Sequence, residues 1–167
     1  MTTSIRRQLT LFLSQDNAEI IEKVRQKFNP KQFELIKAHI TLCREDELEN
    51  IDQILQNLIA LNEQKITIQF EKLTRFDDGK GVYLLSEDTE NFNKLRQKIL
   101  TNVINEPKKQ IPHITLMHPR NATCNDEIFE QISKQKFPLN FTFNEISLIE
   151  QKNGGKWEIL KSFVLTK

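Results

Sequence analysis

The sequence has little glycine, proline or cysteine and no long apolar run, and each shortage excludes a class of protein. Four glycines and five prolines among 167 residues, with no low-complexity segment, predict one compact domain over residues 1–167 without a long linker. Cys43 and Cys124 form no CxxC pair, so they predict no disulfide framework and suit a reducing cytosol. No run approaches the roughly 20 apolar residues of a membrane span, and the first residues lack the apolar core of a signal peptide. We therefore expect a cytoplasmic monomer without membrane contact.

Charge of one sign is also lacking, because 24 Lys and Arg residues stand against 23 Asp and Glu residues. Proteins that bind nucleic acid along its backbone usually carry a clear basic excess. The balance therefore argues against bulk nucleic-acid binding. It is compatible with a small nucleotide or an RNA end as ligand.

What the chain does contain is the tetrapeptide His-Ile-Thr-Leu, twice. It occupies residues 39–42 and 113–116 and uses two of the three histidines. Each copy lies in a short apolar run that predicts a strand, and alternate side chains of a strand share a face. Each copy therefore presents a histidine and a threonine on one face and two aliphatic side chains on the other. The four polar residues are His39, Thr41, His113 and Thr115.

The two copies lie 74 residues apart, and the same offset relates the stretches around them. Residues 7–76 predict the order strand, helix, strand, helix, strand, and residues 81–150 repeat it, followed by a C-terminal strand over 156–166. Identity outside the tetrapeptide is low, so the repeat rests on order, spacing and apolar phase; coincidence between two ordinary α+β stretches is the alternative. The pattern predicts a bilobal α+β fold of two pseudo-two-fold-related βαβαβ units. Such an axis would bring both motif strands to one cleft.

Local signals predict the ends of several elements. Asp16 fits the N-cap of the first helix, with Glu19 completing a capping box. Asp46 fits the N-cap of the second helix. The long strand from Phe137 to about Glu150 changes its apolar phase, which predicts a bulge near Asn144.

Two imidazoles that face one substrate suit in-line attack at phosphorus. One accepts a proton from the attacking oxygen while the other donates one to the leaving oxygen, and an ordinary pKa near 6.5 allows both states at neutral pH. The threonine hydroxyls could donate to the non-bridging phosphoryl oxygens. The pseudo-symmetry leaves open which histidine is the base. No carboxylate motif converges on the histidines, so we expect neither a metal nor another cofactor.

Two His-x-Thr-Leu strands with this spacing in a duplicated α+β chain resemble the 2H phosphoesterase superfamily, which includes 2′–5′ RNA ligase-like proteins and cyclic nucleotide phosphodiesterases. The resemblance covers nearly the whole chain. It implies a cleft between two antiparallel sheets and metal-independent hydrolysis of 2′,3′-cyclic phosphates or related phosphodiesters, with reversible 2′–5′ RNA joining in some members. His39 and His113 would be the acid–base pair, and Thr41 and Thr115 would hold the phosphate. Ala38 departs from the proline that often precedes the motif, which leaves the subgroup open.

Three further residues are candidates for substrate binding. Arg44 and His118 each follow a motif histidine by five residues and could reach a phosphate from the strand ends. Strand parity places both on the face opposite the histidines, and a solvated loop is the alternative. Tyr83 could stack on a base. For Phe76 and Trp157 we expect core packing rather than stacking.

These observations favour a metal-independent phosphodiesterase whose partner is a nucleotide or an RNA end, with a 2′,3′-cyclic phosphate as the expected substrate. Two alternatives remain. One is an RNA- or nucleotide-binding module without turnover, against which the intact histidines and threonines of both copies argue. The other is a 2′–5′ RNA ligase, which the near-neutral charge makes less attractive than a hydrolase.

Overall fold

A computed structural model describes residues 2–76 and 78–166; Met1, Asp77 and Lys167 lie outside the described residues. The first half contains β1 (Ile5–Phe12), α1 (Gln15–Phe28), α2 (Pro30–Leu35), β2 (His39–Cys43), α3 (Ile51–Ala60), β3 (Ile66–Gln69) and β4 (Lys72–Phe76). The second half contains β5 (Gly81–Leu85), α4 (Glu90–Ile99), β6 (His113–Met117), α5 (Asp126–Ser133), β7 (Asn140–Phe143), β8 (Glu145–Lys152) and β9 (Trp157–Val164). The predicted βαβαβ order is present twice, and the last strand of each unit is split in two.

The two halves exchange their last strands. One sheet has the order β2-β1-β8-β9 and another has the order β4-β5-β6, while β3 and β7 form a separate pair. Every pairing is antiparallel. Thus β8 of the second half completes the sheet of β1 and β2, and β4 of the first half completes the sheet of β5 and β6. The predicted α+β fold with two antiparallel sheets is confirmed.

The register of β3 and β7 follows the pseudo-two-fold axis that relates the two halves. Ile66 lies opposite Phe143, and Gln69 lies opposite Asn140. An offset of 74 residues exchanges these two pairs with each other, so the axis passes through the middle of the short ladder. In β1 and β5 the equivalent residues are Thr10 and Tyr83, which face the motif threonines. Their separation is 73 residues, so the predicted offset of 74 is wrong by one residue in these strands. The reason is that the β1–β2 connection and the β5–β6 connection differ in length.

Three local predictions are wrong for identifiable reasons. Helix α1 begins two residues earlier than expected, with Ser14 rather than Asp16 as its N-cap residue. Asp46 lies in a 3₁₀ turn (Glu45–Glu47), and α3 is capped by Asn50, whose side chain accepts from the Gln53 N–H. The phase change at Asn144 is not a bulge. It marks the point where the chain leaves β7 and enters β8 in a different sheet.

The aliphatic sides of the motif strands form part of the core. Ile40, Leu42, Ile114 and Leu116 are each at most 1% exposed. They pack in one cluster with the buried faces of the helices. The predicted alternation therefore holds in both tetrapeptides, with the aliphatic side chains in the core and the polar side chains on the other face. Among the described residues, no helix is both long and apolar enough to traverse a bilayer.

Candidate active site

The motif strands β2 and β6 lie at the edges of the two larger sheets and contact each other. Their polar faces meet in one cleft that encloses about 760 Å³ including its open mouth. All four motif side chains line it: His39, Thr41, His113 and Thr115. The structure therefore brings together the residues that the repeat predicted to converge.

Both histidine rings are held in the same way. Nδ1 of His39 donates to the Lys37 carbonyl at 2.7 Å, and Nδ1 of His113 donates to the Ile111 carbonyl at 3.1 Å. Each acceptor lies two residues before its histidine. Because Nδ1 carries the donated proton, Nε2 is the ring atom left for chemistry on both sides of the cleft.

Burial keeps the histidines neutral in the free site. Loss of solvation lowers the pKa of His39 from 6.5 to about 4. The hydrogen bond to the Lys37 carbonyl raises this pKa, whereas the positive charge of Arg25 lowers it further. Burial also lowers the pKa of His113, with Arg44 acting in the same direction. Both imidazoles are therefore predominantly unprotonated near pH 7 when no anion is bound.

His118 lines the cleft and Arg44 borders a cavity beside His113, because each motif strand contains a bulge. Leu9 pairs with Cys43 and Thr10 with Thr41, so Leu42 is an extra residue in β2. Leu116 is the equivalent extra residue in β6. The insertion reverses the alternation of faces after each tetrapeptide, so the predicted placement on the opposite face is wrong.

The two basic residues lie crosswise. Arg44 follows the first tetrapeptide but borders a cavity with His113 of the second. His118 lines the main cleft, and its charge acts on His39. Asn29 fixes the loop after β6, since its Oδ1 accepts from the His118 N–H at 2.8 Å and its Nδ2 donates to Asn121 Oδ1 at 2.7 Å. Each histidine thus has a basic residue of the other copy beside it.

The aromatic residues lie in or beside the cleft rather than in the core. The ring of Tyr83 meets that of His113 edge-on at 5.3 Å between centroids and lies 5.3 Å from that of Phe76. Phe76 is 42% exposed, and Trp157 lines the main cleft. The expectation of core packing for Phe76 and Trp157 is therefore wrong, because both lie on strand faces that open toward solvent.

Buried arginines hold the segments that lead into the motif strands. In α1, Arg25 donates to the Ile36 carbonyl at 2.7 Å. In α4, Arg96 donates to the Lys108 carbonyl at 3.1 Å. Both side chains are at most 2% exposed. Each helix therefore fixes the backbone just before one motif histidine, and Arg25 also reaches the cleft.

Sequence reasoning missed several residues that line the cleft. They are Arg6, Gln8, Arg25, Gln32, Arg120, Gln151 and Trp157. Arg6 and Gln8 occupy the alternate positions of β1 that lie opposite in phase to Leu9 and Leu11, and this phase could have identified them. No comparable signal marks Arg25 or Arg120.

The cleft is cationic although the whole chain is nearly neutral. Its described lining includes Arg6, Arg25 and Arg120 and no carboxylate. Such a surface favours an anionic ligand. Within residues 2–76 and 78–166, no group of three or more His, Cys, Asp or Glu side chains is arranged to hold a metal ion.

Comparisons with known proteins agree with this architecture. A family model described as the 2′-5′ RNA ligase superfamily matches residues 13–155. A protein of Geobacillus sp. (strain WCH70), provisionally named a phosphoesterase, is 22% identical over 164 residues, covering 94% of both chains.

Solved structures of E. coli LigT share the fold. The apo form has a TM-score of 0.63 at 15% identity and covers 99% of this chain and 100% of that chain. The NADP⁺ complex has a TM-score of 0.67 at 17% identity, and the 3′-AMP complex has 0.63 at 16%; both cover 97% of this chain and 98% of that chain. From the match over residues 13–155 and this common fold, we conclude that the chain belongs to the 2′-5′ RNA ligase superfamily within the 2H phosphoesterases.

Proposed function

We propose that this protein is a metal-independent phosphodiesterase that hydrolyses a 2′,3′-cyclic phosphate or a related phosphodiester of a nucleotide or an RNA end. The observation that carries the proposal is the pair of histidines that line one cationic cleft, with Nδ1 of each ring held by a backbone carbonyl. The LigT structures with 3′-AMP and with NADP⁺ support a nucleotide as ligand. The provisional name of the Geobacillus relative supports phosphoester chemistry.

In the proposed reaction, a water molecule attacks phosphorus while the bond to the ester oxygen opposite breaks. One histidine takes the water proton on Nε2, and the other gives its Nε2 proton to the leaving oxygen. The hydroxyls of Thr41 and Thr115 donate to the non-bridging oxygens. The positive charges that line the cleft attract the anion. The negative charge of the anion in turn raises the pKa of the histidines, so that one of them is protonated.

Ligation would use the same groups in the same roles, with the 5′-hydroxyl of an RNA end in place of water. One histidine would take the hydroxyl proton as the oxygen attacks phosphorus, the bond between phosphorus and the 3′-oxygen would break, and the other histidine would protonate that oxygen, which leaves a 2′–5′ bond. The match to the family model described as the 2′-5′ RNA ligase superfamily supports this second candidate function. Hydrolysis stays our first choice because the chain as a whole is nearly neutral, with 24 Lys and Arg against 23 Asp and Glu, and a long RNA track would need a basic excess.

The test uses the purified protein in chelator, with 2′,3′-cyclic nucleotides and 2′–5′-linked dinucleotides as substrates. His39→Ala and His113→Ala should each lower kcat by about 10²–10⁴-fold, because each removes one proton-transfer group. Thermal unfolding of each variant checks that it folds. Activity that survives both substitutions contradicts the mechanism, and activity that chelator abolishes contradicts metal independence. Nucleotide binding without any turnover would favour the binding module.

A further inference from the structure

Strand β9 is an open edge of the four-stranded sheet. In the order β2-β1-β8-β9, the other edge strand β2 contacts β6, whereas β9 has no second neighbour among the described strands. Six of its eight residues are exposed. The backbone N–H and C=O groups along such an edge can pair with a further strand. The edge is therefore a candidate docking surface.

The exposed side chains of β9 include large aliphatic groups. Ile159 is 58%, Leu160 48% and Val164 71% exposed. Aliphatic and β-branched residues are enriched in strands because they pack well on a pleated surface. A long edge strand that exposes such residues is expected to pair with a strand of another chain.

Two opposite charges of β9 lie on one face. Glu158 pairs with Glu150, and Lys161 pairs with Leu148. Glu150 and Leu148 are two residues apart on β8 and therefore share a face, so Glu158 and Lys161 share a face as well. They do so although they are three residues apart, because Leu160 is the extra residue of an irregularity in the ladder.

Both charged side chains remain available for a partner. They are exposed, and neither forms an ion pair with another side chain of residues 2–76 and 78–166. Lys161 lies over the ring of Phe163, with Nζ 5.3 Å from the ring centroid. A lysine on an edge strand usually opposes pairing with another chain. A glutamate on the same face instead makes this edge complementary to itself in the antiparallel direction.

We infer that β9 is the interface of a homodimer, in which the β9 strands of two copies pair antiparallel about a two-fold axis. With Ile159 opposite Leu160 of the second copy, Glu158 lies opposite Lys161 of the second copy. The axis generates the same two contacts in reverse, as an isologous interface requires. Opposite charges and aliphatic pairs across strands are favourable, and the two four-stranded sheets join into one sheet.

A second copy fits this edge better than a strand of another protein, because one strand supplies both members of each pair. The inference goes beyond the proposed activity and does not rest on it. It also replaces the monomer that the sequence led us to expect.

Sedimentation equilibrium of the full chain tests the dimer. From about 1 μM to 1 mM protein, a range that covers weak and moderate self-association, the mass should rise from 19.7 kDa toward twice that value. A wild-type chain that stays monomeric over this range overturns the inference and leaves the edge to a strand of another protein.

Charge reversal tests the register. Glu158→Lys and Lys161→Glu should each raise the dissociation constant of the dimer by about 10–100-fold, because two favourable pairs become two like-charge pairs. The double variant Glu158→Lys/Lys161→Glu should dimerise like the wild type. An equal mixture of the two single variants should form a heterodimer, since the two introduced charges then face each other with opposite sign and the two native charges do as well.

Glu127→Lys and Lys136→Glu are the matched controls. They make the same changes of charge at exposed positions on and after α5, outside β9. Neither control should change the dissociation constant, alone or in the mixture. Thermal unfolding checks that every variant folds. The inference is overturned if the reversals on β9 leave dimerisation unchanged, if their mixture stays monomeric, or if the controls weaken the dimer equally.

Discussion

At the scale of single residues, the proposed site depends on half-buried imidazoles that must gain and lose protons. His39 titrates near 6.5 in an unfolded chain, but burial and the charge of Arg25 lower its pKa to about 4 in the folded protein. Between these values the unfolded chain binds more protons than the folded one. The free energy of unfolding must therefore fall as the pH falls from about 6.5 to 4.

The first prediction follows from this difference. His39→Gln should flatten the pH dependence of the free energy of unfolding between pH 7 and pH 4.5, by on the order of 1–3 kcal/mol, because the variant has no imidazole to protonate. Urea denaturation at both pH values measures it. An unchanged slope in the variant would contradict the lowered pKa of His39.

The second prediction concerns the rate. The proposed reaction needs one neutral and one protonated histidine, and in the free protein the pKa of both is lowered. Because kcat/KM reports the free enzyme, its pH profile should be bell-shaped with a maximum on the acid side of 6.5. Initial rates at low substrate concentration from pH 4 to 9 check this. A maximum above pH 7 would show that the free histidines are not held neutral by burial.

At the scale of elements, a buried ion pair joins the two halves behind the cleft. Arg96 of α4 donates to both carboxylate oxygens of Glu47, at 2.9 and 2.6 Å, and to the carbonyl of Leu42 at 2.6 Å. Burial on its own raises the pKa of Glu47, but the hydrogen bonds from Arg96 and from the Arg44 backbone outweigh it and hold that pKa low. The pair thus fixes the bulge of β2 against a helix of the other half.

The third prediction compares two glutamates of one 3₁₀ turn. Glu47→Gln should lower the free energy of unfolding by about 3–5 kcal/mol, because it leaves the charge of Arg96 buried and unbalanced. Glu45→Gln removes an ion pair with Arg6 in which both side chains are at least 35% exposed, and it should cost about 0–1 kcal/mol. Denaturant titrations of both variants measure the difference. Equal losses of free energy of unfolding in the two variants would mean that burial does not determine how much each ion pair contributes to stability.

At the scale of the whole molecule, the sequence predicts the features that occur in both repeats, but it does not predict those that depend on how the strands pair. The tetrapeptides and their offset predict the two lobes and the meeting of His39 with His113. The positions of His118 in the cleft and of Arg44 beside His113 could not be predicted, since they follow from bulges that exist only in the paired register. Trp157 lies on β9, which has no second copy to compare. The exchange of the last strands between the two halves could not be predicted either, because apolar periodicity does not indicate which strands pair.

That exchange yields the fourth prediction. A fragment of residues 1–78 contains β1 and β2 without β8, and β4 without β5, so neither larger sheet can be completed. Two-stranded pairs are marginally stable at best. Each fragment, 1–78 or 79–167, should therefore be unfolded alone by circular dichroism.

Mixing the two fragments should restore the fold, because the break falls in the turn where Gly79 has φ 84° and no ladder is cut. The restored complex should unfold in a single cooperative transition, since every sheet then contains strands from both fragments. The intact chain is the control for its circular dichroism spectrum. Cooperative unfolding of fragment 1–78 by itself would mean that each repeat forms its own sheet, and would contradict the strand exchange.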